Sequence, residues 1–321
     1  MKIAVLEPLG IPDADLRRLI EQALAAVPAF DAEALELVTY PDRREDDSSL
    51  VERSAGAEVV VLSNIKYSAA VMERNPDLKY VCVAFTGYDH VDMAYCAERG
   101  IQVSNCAGYS TEAVADIVFA LVIDLFRSIC TLNGTVREGG TKDGLVGPEL
   151  DGKRFGVVGL GAIGTRVARI AQAFGCEVVA NTRTPKDVPG VRLVSLEELL
   201  RTSDVVSLHV PQNAQTTHLI GADQIALMKP SAVLINCARG PIVDSQALAD
   251  ALNEGRIAGA GIDVLECEPP FPADHPLLTS KNTIVTPHIA FASTQAMEKR
   301  AVIVADNVAS YVAGQTRNLV S

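Results

Sequence analysis

One hexapeptide constrains this chain more than any other feature: Gly159-Leu160-Gly161-Ala162-Ile163-Gly164. Three glycines at that spacing occur in many turns, but the flanks here are specific. An apolar run, Phe155 to Val158, precedes the first glycine. Thr165 to Gly175 follows, with Val167, Ile170, Ala171 and Phe174 on one helical face, and a second apolar run, Cys176 to Asn181, comes next. A strand that turns on glycines into a helix and returns as a parallel strand is the phosphate-cradling unit of dinucleotide-binding folds. In it Gly159 permits the tight turn, Gly161 lets the backbone approach a pyrophosphate, and Gly164 lets helix and strand pack closely. The helix N-terminus offers unpaired N–H groups and a positive dipole end to the phosphates.

The rest of the chain repeats this rhythm. Lys2 to Glu7, Ala34 to Tyr40, Ala57 to Ser63 and Leu78 to Ala84 read as buried strands, separated by helical spacings such as Asp13 to Ala26 and Ser68 to Arg74. The pattern restarts near residue 154, with Arg154–Gly159, Cys176–Asn181, Asp204–Val210, Ser231–Cys237, Ile257–Asp263 and Asn282–Pro287. Continuous apolar runs joined by helical crossovers imply α/β architecture with two doubly wound parallel sheets. Between them a helix starts near Ser110, with Ala113, Val114, Ile117, Val118, Leu121, Val122 and Leu125 on one wide face. A glycine-rich loop follows, Glu138 to Gly152. The helix suits core packing, and its length before that loop also suits an arm on a second subunit.

Composition narrows the partners. The net charge is −12, so nucleic acid and anionic membrane surfaces are poor expectations. The most apolar stretch, Ala113 to Phe126, is interrupted by Asp116 and Asp124 and is too short to span a bilayer. The N-terminus meets Glu7 and Pro8 too early for a secretory signal, and the expected location is cytoplasmic. Seven cysteines without a C-x-x-C pair read as reduced thiols, with no metal site expected.

Dinucleotide folds usually carry an acid at the end of the second strand, where it accepts from the ribose 2′-hydroxyl. This chain has Asn181-Thr182-Arg183-Thr184-Pro185 there; Glu177 lies at the wrong end of the strand and Asp187 follows the proline. An arginine at that place pairs with a 2′-phosphate. NADP is the favoured cofactor, with NAD the alternative.

Three further segments fall at the C-terminal ends of second-sheet strands, where open α/β sheets place their ligands. They carry Arg239, then Asp263 and Glu268, then His288 after Pro287. A cation, a carboxylate and an imidazole at one sheet edge suit carbonyl reduction of a 2-oxo acid. A protonated histidine donates to the developing oxyanion, a carboxylate keeps it charged and oriented, and an arginine forks onto the substrate carboxylate. His209 ends a strand and has a space-filling role near the cofactor as its simpler reading.

With Gly87–Asp92 (GYDHVD), GLGAIG, DVVSLHVP, the NCARG segment, GIDVLECEP and TPHIA in that order, the sequence resembles the D-isomer-specific 2-hydroxyacid dehydrogenase family along nearly its whole length. The resemblance implies an NAD(P)-dependent oxidoreductase that interconverts a small 2-oxo acid and a D-2-hydroxy acid of the lactate, glycolate or glycerate class. It implies Arg239, Glu268 and His288 as the catalytic trio. Cofactor contacts are implied at Gly159, Gly161, Ala162, Ile163, Gly164, Asn181, Thr182, Arg183, His209, Val210, Pro211, Thr216, Cys237, Ala238 and Asp263, the last beside the nicotinamide. Backbone amides at Thr86 and Gly87 are implied to hold the substrate carboxylate.

The resemblance also implies a domain plan. A flavodoxin-like substrate domain, residues 1–103 and 289–321, is interrupted by a Rossmann cofactor domain with a dimerisation arm, residues 104–288. A helix from about Ser293 to Ala313 returns to the first domain, the active site lies in the cleft, and the assembly is a homodimer. Two departures bear on specificity: Phe85 and the Ala290-Phe291 pair stand where the family often has small residues. Tyr109 and Phe291 resemble aromatic substrate contacts of the D-lactate dehydrogenases, whereas the missing acid points toward NADP-using glyoxylate and hydroxypyruvate reductases. A cofactor-sensing, corepressor-like binding protein on the same fold is the alternative from another class. An amino-acid or formate dehydrogenase is a third reading, which Glu268 and the His–Ile pair fit less well.

Overall fold

The computed structural model describes residues 1–28, 30–315 and 317–320. The chain forms two compact units, Met1–Ser110 with Ala292–Ser321, and Thr111–Phe291. Within the C-terminal return expected over 289–321, Thr316 and Ser321 lie outside the described residues.

The first unit is built on five parallel strands: β1 (Lys2–Val5), β2 (Glu36–Thr39), β3 (Val59–Leu62), β4 (Tyr80–Val83) and β5 (Gln102–Ser104), in the order β2-β1-β3-β4-β5. That is the flavodoxin-like order, with its switch point between β1 and β3. β3 and β4 are buried at every position, as expected of strands covered on both faces. The helix Thr294–Val312 starts on Ser293, whose side chain accepts from Ala296 N at 3.1 Å. It packs against the helix Asp13–Ala25 and against β4. Its Arg300 is 3% exposed and donates to Ser63 Oγ and to the carbonyls of Leu9 and Ala84, reaching the loops after three strands.

The second unit holds seven parallel strands: β6 (Arg154–Val158), β7 (Glu177–Asn181), β8 (Val191–Leu193), β9 (Val205–Leu208), β10 (Val233–Asn236), β11 (Gly259–Ile262) and β12 (Thr283–Val285). Their order is β12-β11-β10-β9-β6-β7-β8, so the direction of winding reverses between β6 and β9. That crevice is where dinucleotide folds bind their ligand. The helix Thr111–Arg127 buries Ala113, Val114, Ala115, Val118, Phe119, Leu121, Val122 and Phe126 within this unit. It lies directly on β11: a Cβ built on Gly261 would stand 2.9 Å from Leu121 Cβ, which explains the small residues of that strand. Its apolar face is therefore core. After Ser128, at φ 51°, a second helix, Ile129–Arg137, buries no residue.

The strand and helix patterns match their observed elements closely, including the C-terminal helix to within one residue at either end. β5 and β8, each a three-residue edge strand, are too short to show a pattern in the sequence. No helix among the described residues is long and apolar enough to cross a membrane.

Candidate functional site

Each glycine of the turn after β6 has its own geometry. Gly159 sits at φ +100°, and a Cβ there would meet His209 O at 2.5 Å. Gly164 has no room either, because its Cβ would run into Gly159 O; the helix Ala162–Ala173 is thereby pressed onto the turn. A Cβ on Gly161, by contrast, would meet nothing within 4 Å. Open space beside the backbone that begins a helix is what an approaching pyrophosphate needs. The helix's first turn carries no acid, which keeps the site positive.

The neighbours of that turn come from β7 and β9. Gly159 N donates to Asn181 O at 2.7 Å, fixing the end of β7 against it. The Asn181 amide is itself engaged, donating to Val194 O at 3.0 Å. Thr182 is half-buried and Arg183 exposed. Across the crevice, His209 Nε2 lies 2.9 Å from Ser207 Oγ. Burial pushes its imidazole down to about 3, so it is neutral and adds no charge. Pro211 O accepts from Thr216 Oγ1 at 2.6 Å, which closes the loop after Val210.

Three strand ends carry the reactive side chains. Beyond β10, Asn236 is 1% exposed and braces the next turn, with Nδ2 donating to Arg239 O at 2.8 Å and Oδ1 accepting from Ala238 N at 3.0 Å. Arg239 Nη1 donates to Ala238 O, and Cys237 and Ala238 are half-buried beside it. A Cβ on Gly240 would strike the Leu265 backbone, so the Arg239 turn packs directly on the loop that follows β11. That loop carries Glu268, whose Oε1 lies 2.8 Å from His288 Nδ1. The His288 side chain is 12% exposed and Glu268 40%. Phe291 sets its ring edge-on to the imidazole, centroids 5.3 Å apart at 86°.

His288 itself sits at φ 54°, a left-handed conformation that costs about 1–3 kcal/mol in a non-glycine residue. Asp263 holds it there. The Asp263 carbonyl accepts from His288 N at 2.8 Å. Its carboxylate accepts from Ile289 N at 2.9 Å, Ala290 N at 2.8 Å and the Thr286 hydroxyl. Burial pushes the Asp263 carboxyl upward, against the pull of the Thr286 hydroxyl and the two amides. The family resemblance implies Asp263 beside a nicotinamide; its oxygens also build the histidine turn. Asn236 carries no motif of its own beyond its place before Cys237, so its bracing role is not legible in the sequence.

In the first unit, Thr86 O accepts from Asn105 Nδ2 at 2.7 Å. Thr86 Oγ1 is a buried hydroxyl with no hydrogen-bond partner among the described residues, and Gly87 next to it is half-buried. Tyr109 is 3% exposed, 6.1 Å from the Phe85 ring and beneath the Arg300 guanidinium. No group of side chains that could hold a metal ion occurs among the described residues.

Residues 119–290, most of the second unit, match the family model for the D-isomer specific 2-hydroxyacid dehydrogenase, NAD binding domain. The chain belongs to the D-isomer-specific 2-hydroxyacid dehydrogenase family. As a member it is a nicotinamide-dependent oxidoreductase acting between 2-oxo and D-2-hydroxy acids. It is 39% identical over 269 residues to a glyoxylate reductase of Thermococcus litoralis, covering 80% of this chain and 81% of that one. It is 40% identical over 281 residues to a glycerate dehydrogenase of Methylorubrum extorquens, covering 84% and 88%. Among solved structures, an acyclic imino acid reductase in complex with NADPH and D-Arg superposes with a TM-score of 0.89 at 31% identity, covering all of both chains. These dehydrogenase and reductase relatives give no support to a corepressor-like binding protein.

Proposed function

We propose that this dehydrogenase reduces a small 2-oxo acid of the glyoxylate and hydroxypyruvate class, with NADPH preferred, and that His288 is its general acid. The observation that carries this reading is the 2.8 Å pair between His288 Nδ1 and Glu268 Oε1. A carboxylate on Nδ1 fixes the ring orientation and leaves Nε2 as the nitrogen that gives its proton to substrate. A nicotinamide cofactor held at the glycine turn Gly159–Gly164 would supply the hydride to C2. As the carbonyl π bond breaks, its oxygen takes the Nε2 proton, leaving an alcohol and a neutral imidazole that water reprotonates. Arg239 forks onto the substrate carboxylate and stabilises the charge that grows on the oxygen. The backbone amides of Thr86 and Gly87 are the substrate contacts of the first unit in this reading, and both residues are half-buried. Phe291, edge-on to His288, and Tyr109 are the aromatic limits on substrate size.

The first unit is the substrate domain and the second the cofactor domain, with the glycine turn and the segments at residues 181–183, 209–211, 216 and 237–238 holding NADP. Arg183, exposed at the end of β7 with no acid beside it in sequence, receives the 2′-phosphate. The enzyme is a cytoplasmic homodimer. Turnover of glyoxylate, hydroxypyruvate, pyruvate, phenylpyruvate and oxaloacetate with each cofactor tests the substrate. Glyoxylate and hydroxypyruvate are expected to give the highest kcat/KM. In the same assay His288→Ala is expected to lower kcat by about two to four powers of ten with cofactor affinity unchanged. A folded variant with near-normal turnover refutes the assignment.

A further inference from the structure

Glu266 and His275 take no part in the mechanism above, yet they form a second carboxylate–imidazole pair two residues from the first. Glu266 Oε2 lies 2.9 Å from His275 Nε2. The pair closes a loop between partners nine positions apart, whose residues 266–270 are exposed, and Glu268 stands inside it. His275 is also the N-cap of the helix Pro276–Thr279, its Nδ1 accepting from Leu277 N at 3.3 Å. A ring nitrogen that accepts an N–H carries no proton, so Nε2 bears it and donates to Glu266. Glu266 in turn is hydrogen-bonded by Ser245, the first residue of the helix Ser245–Asn253. Against the upward push of burial, the Ser245 hydroxyl and His275 hold the Glu266 carboxyl below its usual value. One arm of the loop is thus tied to the start of one helix and the other arm to the cap of the next, and these two helices pack together.

We infer that Glu266 and His275 are positioning residues: their hydrogen bond is a latch that keeps Glu268 within reach of His288. Without it, the exposed chain from Glu266 to Pro270 gains freedom, and Glu268 spends less time oriented on the imidazole. The inference rests on the reading that Glu268 orients His288. Because the latch is an imidazole N–H donating to an oxygen, a glutamine at position 266 still accepts the bond and an alanine does not.

The test is a cycle of Glu266→Ala, Glu266→Gln, Glu268→Gln and the double variant Glu266→Ala/Glu268→Gln, assayed in the holoenzyme, with His275→Ala breaking the latch from the other side. Glu266→Ala and His275→Ala are expected to lower kcat about ten-fold, the scale of a displaced catalytic group, with the KM for the nicotinamide cofactor unchanged. Glu266→Gln is expected to stay within about two-fold of the parent. In the Glu268→Gln background the alanine is expected to cost nothing further, because the group it positions is already gone. Equal losses in both backgrounds, or a raised cofactor KM with kcat intact, overturn the latch. A Glu268→Gln enzyme with parental kcat overturns instead the role given to Glu268.

Discussion

Arg183 and Asp263 show how little of a residue's duty its type reveals. Arg183 is exposed at the end of β7, and its case rests on what is missing: no carboxylate stands there to accept from a ribose hydroxyl or to repel a phosphate. Arg183→Ala is expected to weaken NADPH use by about 1.5–3 kcal/mol, the worth of a charge-assisted contact, and to leave NADH use nearly unchanged. The ratio of kcat/KM for the two cofactors, before and after the substitution, reads this directly; a parental ratio below one that does not move identifies NAD as the cofactor. Asp263 has the opposite character, buried with both oxygens accepting. In Asp263→Asn one oxygen becomes an N–H group facing a backbone N–H. The expected result is a loss of about 1–3 kcal/mol in stability, visible as a lower Tm, together with reduced kcat as the turn carrying His288 relaxes.

At the scale of elements, the glycine turn separates two effects that usually travel together. Gly164 touches its own fold, and Gly161 borders open space. Gly164→Ala is expected to lower both Tm and cofactor affinity. Gly161→Ala should leave Tm within the error of the parent while weakening the cofactor, because its methyl group occupies only the space that a phosphate needs. Paired thermal melts and cofactor titrations distinguish them, and equal Tm losses in both variants contradict the assignment. The same contrast explains what was legible in the sequence. Long apolar strands announce themselves, and their C-terminal ends then locate Arg239, Asp263 and His288 without any structure. Edge strands β5 and β8 are too short for a pattern, and the helix Ile129–Arg137 offers only Ile129, Leu132 and Val136 as a short apolar stripe and buries none of them. The Glu266–His275 pair and the Asn236 brace join irregular turns, where no periodicity links one partner to the other.

At the scale of the whole molecule, the exposed apolar side chains Ile129, Val136 and Val146, at 52%, 66% and 85%, cluster in one stretch of sequence. Buried core accounts for the preceding helix, and these residues have no such account within the chain. If they form the homodimer contact, light scattering gives twice the 34.1 kDa chain mass, and Val136→Glu shifts the population toward the monomer. A monomeric parent protein rejects the dimer.

The order in which the chain is laid down has a consequence for its birth. The first unit begins the sequence but lacks its last helix until residue 312 has been made, whereas Thr111–Phe291 is contiguous. On a ribosome, the later segment is therefore the first to be complete, and the five-stranded sheet waits with the seat of Arg300 unfilled. A nascent chain stalled soon after residue 291 has emerged should already bind a dinucleotide while its opening hundred residues remain open to protease.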